Sequence, residues 1–269
     1  MSRMVQDEPV RVNQRFVTQP GTDSKGQTHE VFCVRFSPND EYIAASYSNG
    51  AIRVFRTQDK ENKAKGSMEH LLNDGNSRFP TTQVRWRPEG GSSTTKTKNV
   101  LVSVNAEGDG NINFLLIFVF LLLNFLLKIN LKKKNQKNNQ TTGGVQHHHV
   151  KSGKTLHEIK HTNNPLFCVD YSPDATLFAV AGRERAIYVY DEATKRPYVT
   201  LQGGDSLTTA GHSNRVFSLK IKDEHTILTG GWDNTVQIWD MRKKHAVQSI
   251  FGVYICGDGL DISKDGTKL

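Results

Sequence analysis

Three consecutive histidines, His147-His148-His149, are the first side chains in this 269-residue sequence with metal chemistry open to them. A structural zinc site wants four ligands and a catalytic one three. On a strand His147 and His149 face one way and His148 the other, so at most two share an ion. No further ligands can be placed beside them, and no metal is expected. Gly153-Lys154-Thr155 echoes the end of a phosphate-binding loop, but the glycine needed five residues earlier is His148 and no helix follows. No nucleotide or other cofactor is expected. Cys33, Cys168 and Cys256 lack a C-x-x-C spacing and are too few for a disulfide framework. Asp258, Asp261 and Asp265 crowd together, yet the last two fall on the repeat pattern given below. The Asn139-Gln140-Thr141 sequon lies in a compositionally foreign segment and is given no weight. No nucleophile–base pair or paired-carboxylate site can be placed. The expectation is a non-enzyme with no catalytic residues.

Those residues are positioned by a repeat. Val31-Phe32-Cys33-Val34-Arg35-Phe36-Ser37-Pro38-Asn39 matches Leu166-Phe167-Cys168-Val169-Asp170-Tyr171-Ser172-Pro173-Asp174. Each alternates apolar and polar residues and ends in a turn, the pattern of a strand entering a hairpin. Further copies end at Trp86, Ile221 and Ile262. From Phe36 onward the spacings of the equivalent large residues are 50, 85, 50 and 41. A second half-motif runs from a turn residue to an aromatic: Asn49 to Phe55, Glu184 to Tyr190, Asp233 to Trp239. In this register His147, His148 and His149 take the places of Ile238, Trp239 and Asp240 as outer-strand residues, and Lys151-Ser152-Gly153-Lys154 is the turn leaving the fourth strand.

The 85-residue spacing contains an intruder. Between Asp109 and Gly143, 27 of 35 residues are Phe, Leu, Ile, Lys or Asn, and removing all 35 restores a spacing of 50. Such a bias is what a translated AT-rich intron produces. The competing reading takes Ile112–Leu131 as a transmembrane helix followed by lysines. Motif spacing favours the intron-like insertion. The segment also carries five lysines and one aspartate, half of the chain's formal charge of +8. The remaining basic excess is modest and scattered, so no nucleic-acid partner is expected.

From Gly211-His212 to Trp239-Asp240, a Gly-His pair, a strand, a hairpin, a turn aspartate and a terminal Trp-Asp together resemble the WD-repeat (WD40) family. Kelch repeats have a period near 50, but the Gly-Gly pairs here fall at differing phases. The resemblance implies an all-β propeller of four-stranded blades, about four blades with a fifth begun, and an incomplete ring. It divides the chain into a polar N-terminal segment 1–26, either disordered or supplying a closing strand from Gln14–Thr18, and a propeller over 27–269. The blades fall at about 27–66, 79–160, 161–204, 211–250 and, in part, 251–269, with 109–143 interrupting the second. It further implies that His212, Asp233 and Trp239 form a buried structural network with Thr229 as hydroxyl partner, while His29 and His161 stand out of register.

The function implied is a non-catalytic, cytoplasmic scaffold that binds proteins or peptides within a larger assembly. Ser48, Arg183 and Trp232, just before the turn position, are the candidate partner-binding rim, with Trp232 equally open to packing between blades. Two alternatives stand beside it. One is a membrane-anchored protein spanning the bilayer at 112–131. The other is the repeat portion of a longer protein with an enzyme domain elsewhere, this sequence being a fragment.

Overall fold

The computed structural model describes residues 27–57, 68–73, 79–89, 99–106, 142–203, 210–243, 245–255, 257, 259–263 and 266–269. The segments 1–26 and 109–141, including the span 112–131 and the sequon, lie outside them, as do Cys256, Asp258 and Asp265. Among the described residues, no helix is long and apolar enough to cross a membrane.

Among the described residues, four antiparallel sheets of four strands follow one another, each in simple meander order. The first holds β1 (Val31–Phe36), β2 (Tyr42–Tyr47), β3 (Ile52–Arg56) and β4 (Met68–Leu72). The second holds β5 (Thr81–Trp86), β6 (Val100–Asn105), β7 (Thr142–His149) and β8 (Lys154–Thr162). In the third are β9 (Leu166–Tyr171), β10 (Leu177–Gly182), β11 (Ile187–Asp191) and β12 (Pro197–Leu201). The fourth has β13 (Val216–Ile221), β14 (Thr226–Gly231), β15 (Thr235–Asp240) and β16 (Ala246–Phe251). The first strands β1, β5, β9 and β13 neighbour one another, so the sheets stand side by side as propeller blades.

Local chemistry repeats with the blades. The Ser37 hydroxyl donates to Asn39 Oδ1 (2.7 Å) and accepts from Tyr42 N–H (2.9 Å). Ser172 does the same with Asp174 (2.6 Å) and Leu177 (2.9 Å). Asp223 takes over that role in the fourth blade, accepting from His225 and Thr226 N–H. At the next turn Gly50 sits at φ 81°, a left-handed conformation that costs glycine nothing.

Each blade turns one face to the blade before it, through the alternate residues of its first strand. Val84 and Trp86 pack on the first blade, Val169 and Tyr171 on the second, and Leu219 and Ile221 on the third. Leu260 and Ile262 cover the fourth. Val84, Val169 and Leu219 are 0% exposed and Leu260 is 4%, whereas the equivalent Val34 is 45% exposed and its neighbour Phe36 58%. The leading face of the first blade is therefore an open apolar surface.

Polar groups stitch the same junctions. Trp86 Nε1–H donates to Arg35 O (3.0 Å), Val169 N–H to Gln83 Oε1 (2.6 Å) and Ile221 N–H to Asp170 Oδ2 (3.1 Å). One register position carries charge in every repeat: Arg35, Arg85, Asp170, Lys220 and Asp261. Arg85 Nε lies 3.3 Å from Asp170 Oδ1, and Lys220 Nζ lies 3.2 Å from Asp261 Oδ1. A further buried cluster ties the second blade to the third, where Glu192 meets Arg87 (3.4 Å), His147 (3.3 Å) and Lys195.

Two expectations are corrected here. His147–His149 are not outer-strand residues. They belong to β7, the third strand, because β8 pairs with β7 and supplies the outer edge. For the same reason the turn around Gly153 leaves the third strand rather than the fourth.

Candidate functional site

The fourth blade brings four polar side chains into one chain of hydrogen bonds. Trp239 Nε1–H donates to Thr229 Oγ1 (2.7 Å), and Thr229 Oγ1 lies 2.7 Å from His212 Nε2. His212 Nδ1 lies 2.9 Å from Asp233 Oδ2. The carboxylate supplies the direction. Ionised Asp233 can only accept, so the proton of a neutral His212 ring sits on Nδ1 facing it, and Nε2 accepts from the Thr229 hydroxyl, which in turn accepts from the indole. Asp233 also accepts from Ser213 N–H (2.8 Å) and the Thr235 hydroxyl (2.8 Å). Burial pushes its carboxyl up, but these partners outweigh it and hold the carboxyl at about 2. A Cβ on Gly231 would lie 2.6 Å from His212 Nδ1, so only glycine leaves the ring its place.

The other blades build reduced versions of this network. In the second, His148 stands at the Trp239 position, and its Nε2 lies 3.0 Å from Ser103 Oγ, the counterpart of Thr229. In the third, Tyr190 takes the tryptophan's place and its hydroxyl lies 2.8 Å from His161 Nε2. Burial keeps His148 neutral, lowering its pKa to about 4, and it lowers His147 and His161 as well. An unfolded chain takes up those protons below about pH 6.5 while the native state does not. Stability is therefore expected to be full above pH 6.5 and to fall as pH drops from there toward 4. For His148 the loss is about 1.4 kcal/mol per pH unit over that window. Urea unfolding at stepped pH checks this, and His148→Gln should flatten the slope by nearly one proton; an unchanged slope would refute the assignment.

The rim of the third and fourth blades is aromatic and cationic. In every blade the pairing of the first two strands skips the second residue of the first strand: Phe32, Thr82, Phe167 and Phe217. A bulge of this kind re-aims the extra side chain. Phe167 and Phe217 stack at 4.8 Å, and Phe217 meets Trp232 edge-on at 5.4 Å. The Arg215 guanidinium lies 5.6 Å from the Trp232 ring centre, and Trp232 Nε1–H donates to Tyr254. Burial first, and then the nearby charge of Arg183, lower the Arg215 pKa.

The family model for the WD domain, G-beta repeat, matches residues 19–56, 153–191 and 204–240. These stretches hold the inner three strands of the first, third and fourth blades. Three of the chain's four described blades are WD repeats. Protein tipD of Dictyostelium discoideum is 25% identical over 141 residues, covering 40% of this chain and 23% of tipD. WD repeat-containing protein 1 of Gallus gallus is 29% identical over 83 residues, covering 30% of this chain and 13% of that protein. The propeller thus spans less than a quarter of the length of these curated relatives. A chain in the crystal structure of the mitotic checkpoint complex shares the fold. It superposes with a TM-score of 0.56 at 12% identity, covering 86% of this chain and 53% of that one.

The candidate residues of this WD-repeat chain separate into two groups. Thr229 joins His212, Asp233 and Trp239 into one network. Arg183 and Trp232 share a rim, with Arg215 between them in charge and contact. Ser48 occupies the equivalent turn of the first blade, where its hydroxyl accepts from Glu30 N–H (3.2 Å). Trp232 packs within its own blade and against Tyr254. Arg215, Phe217 and Tyr254 were not expected at the rim. Its only sequence signal is the recurring apolar-Phe pair that opens three of the first strands.

The metal and phosphate candidates are placed as well. His147 and His148 are buried, and the described residues hold no group of three or more His, Cys, Asp or Glu side chains arranged for a metal. Gly153 N–H donates to Val150 O (3.1 Å), closing a short 3-10 turn rather than opening a phosphate cradle. Cys33 and Cys168 are buried and lie in different blades, and burial raises the Cys168 pKa well above the usual range.

Proposed function

We propose that this propeller is a non-catalytic scaffold that docks a protein or peptide partner, within a larger assembly, on the rim formed by Arg183, Arg215 and Trp232. WD-repeat proteins generally mediate protein–protein interactions, and the fold typically serves as a scaffold. The observation that carries the reading is the placement of Arg215 over Trp232 beside Arg183, a cationic edge on an aromatic ladder. Tryptophan and arginine are enriched among interface hot spots, and such a surface suits an acidic or aromatic segment. Ser48, on the first blade, supplies a peripheral contact in this reading. Residues 109–143 are read as an interruption of the second blade. Supporting this, β6 ends at Asn105, β7 starts at Thr142 within the last two residues of that segment, and the two strands pair in the register of the other blades, with Asn105 opposite Gly144.

Quantitative affinity capture with the full chain tests the docking site. Arg183→Ala and Trp232→Ala are expected to lower partner recovery by about 30-fold each, the equivalent of a 2 kcal/mol hot spot. Lys151→Ala, on an exposed turn away from the rim, should leave recovery unchanged. Trp232→Phe, which keeps a ring against Phe217, should lose less than the alanine variant. Recoveries that do not distinguish the rim variants from Lys151→Ala sink the proposal.

A further inference from the structure

A second concave site lies between the second and third blades, on their outer side. It is a cavity of about 390 Å³, walled by Lys160 and His161 of β8, by Asn164, and by Glu184, Tyr188 and Tyr190 from the third blade. That volume is at the small end for ligand sites and suits a single large side chain.

The walls are already organised. The edge of the Tyr188 ring meets His161 at 4.7 Å, and Tyr190 Oη lies 2.8 Å from His161 Nε2. The Tyr188 hydroxyl donates to Glu184 and holds its carboxylate in place. Glu184 N–H donates to Asn164 Oδ1 (2.9 Å), which fixes the amide. Asn164 is 1% exposed, and its Nδ2 is a buried donor with no acceptor among the described residues.

We propose that this cavity binds the basic side chain, lysine or arginine, of a peptide segment, with the cation against Tyr188 and Glu184. Aromatic faces and an anchored carboxylate both attract a cation. Lys160 carries the opposing charge, but its side chain is exposed and free to turn into solvent. The site does not depend on the Arg183–Trp232 rim, and it adds a second, chemically opposite contact point.

Ligand-observed NMR titration of the full chain provides the test, with four capped probes. These are the Nα-acetyl methylamides of arginine, lysine, norleucine and glutamate. The arginine or the lysine probe, or both, should bind saturably, with Kd near 1 mM for a ligand of this size, on the order of 0.3 kcal/mol per heavy atom. Norleucine and glutamate should bind at least tenfold more weakly. Glu184→Gln should weaken the basic probes about tenfold. Tyr188→Phe, which keeps the ring and frees the carboxylate, should weaken them about threefold, and Trp232→Ala should have no effect. Unchanged thermal unfolding of the Glu184 and Tyr188 variants confirms that the cavity walls are intact. The proposal is overturned if no probe saturates, if norleucine or glutamate binds as tightly as the basic probes, or if Glu184→Gln changes nothing.

Discussion

Replacing Asp170 with alanine is expected to lower the unfolding free energy by about 3–5 kcal/mol, the usual cost of breaking a buried ion pair from one side. Asp170 sits at the junction of three blades. One carboxylate oxygen faces Arg85 Nε of the second blade, and the other accepts Ile221 N–H of the fourth. Alanine removes the charge that Arg85, 6% exposed, faces at 3.3 Å, and it strips the Ile221 amide of its acceptor. For a chain of this size the melting temperature should drop on the order of 10 °C. Asp170→Asn keeps an acceptor for Ile221 and should lose less. Replacing both partners, as in Arg85→Met with Asp170→Leu, should recover much of the loss, since a matched apolar pair carries no desolvation penalty. If Asp170→Ala unfolds within 1 kcal/mol of the parent, the pair is not holding these blades together.

Thr229→Val is the other large effect. The substitution preserves shape and removes the hydroxyl that both accepts from Trp239 and lies against His212 Nε2. Trp239 is 0% exposed and His212 3%, so water cannot replace the lost partner. Two buried polar groups left unmatched correspond to a loss of about 2–5 kcal/mol. Thr229→Ser should retain most of the stability. The Trp239 indole N–H resonance reports the same change directly, shifting strongly in the valine variant and little in the serine one. A valine variant as stable as the serine variant would mean that the hydroxyl chain contributes only packing.

The blade architecture was legible because it rests on period-two alternation and on turn residues, both local properties of sequence. Phe36, Trp86, Tyr171 and Ile221 end the first strands of successive blades as their spacing implied. What alternation could not show was the extra residue in each first strand. A bulge has no composition of its own, so the turning of Phe167 and Phe217 onto the rim was invisible, and with it the company of Arg215 and Tyr254. His161 stands out of register with His212 in the sequence pattern. Its partner, the Tyr190 hydroxyl, reaches further than the Trp239 indole nitrogen does, which accommodates the offset. The cavity on the outer side was illegible for a different reason. It is made by two blades, and no pattern within one repeat describes the gap between neighbours. His147–His149 were assigned to the wrong strand because the position of an outer strand depends on where the chain returns after the turn.

The pairing of β6 with β7 has a consequence for how such a chain tolerates length. Asn105 and Gly144 face each other as the first partners of a hairpin, yet residues 106–143 lie between them. The entropy of closing a flexible loop grows only with the logarithm of its length. Extending the three-residue connection found between Tyr47 and Ala51 in the first blade to this size adds roughly 2–3 kcal/mol. That sum is comparable to one well-buried side chain, and the second blade contributes many. The turn between the second and third strands of a blade is therefore a place where a gene can gain dozens of codons before the sheet on either side feels the change.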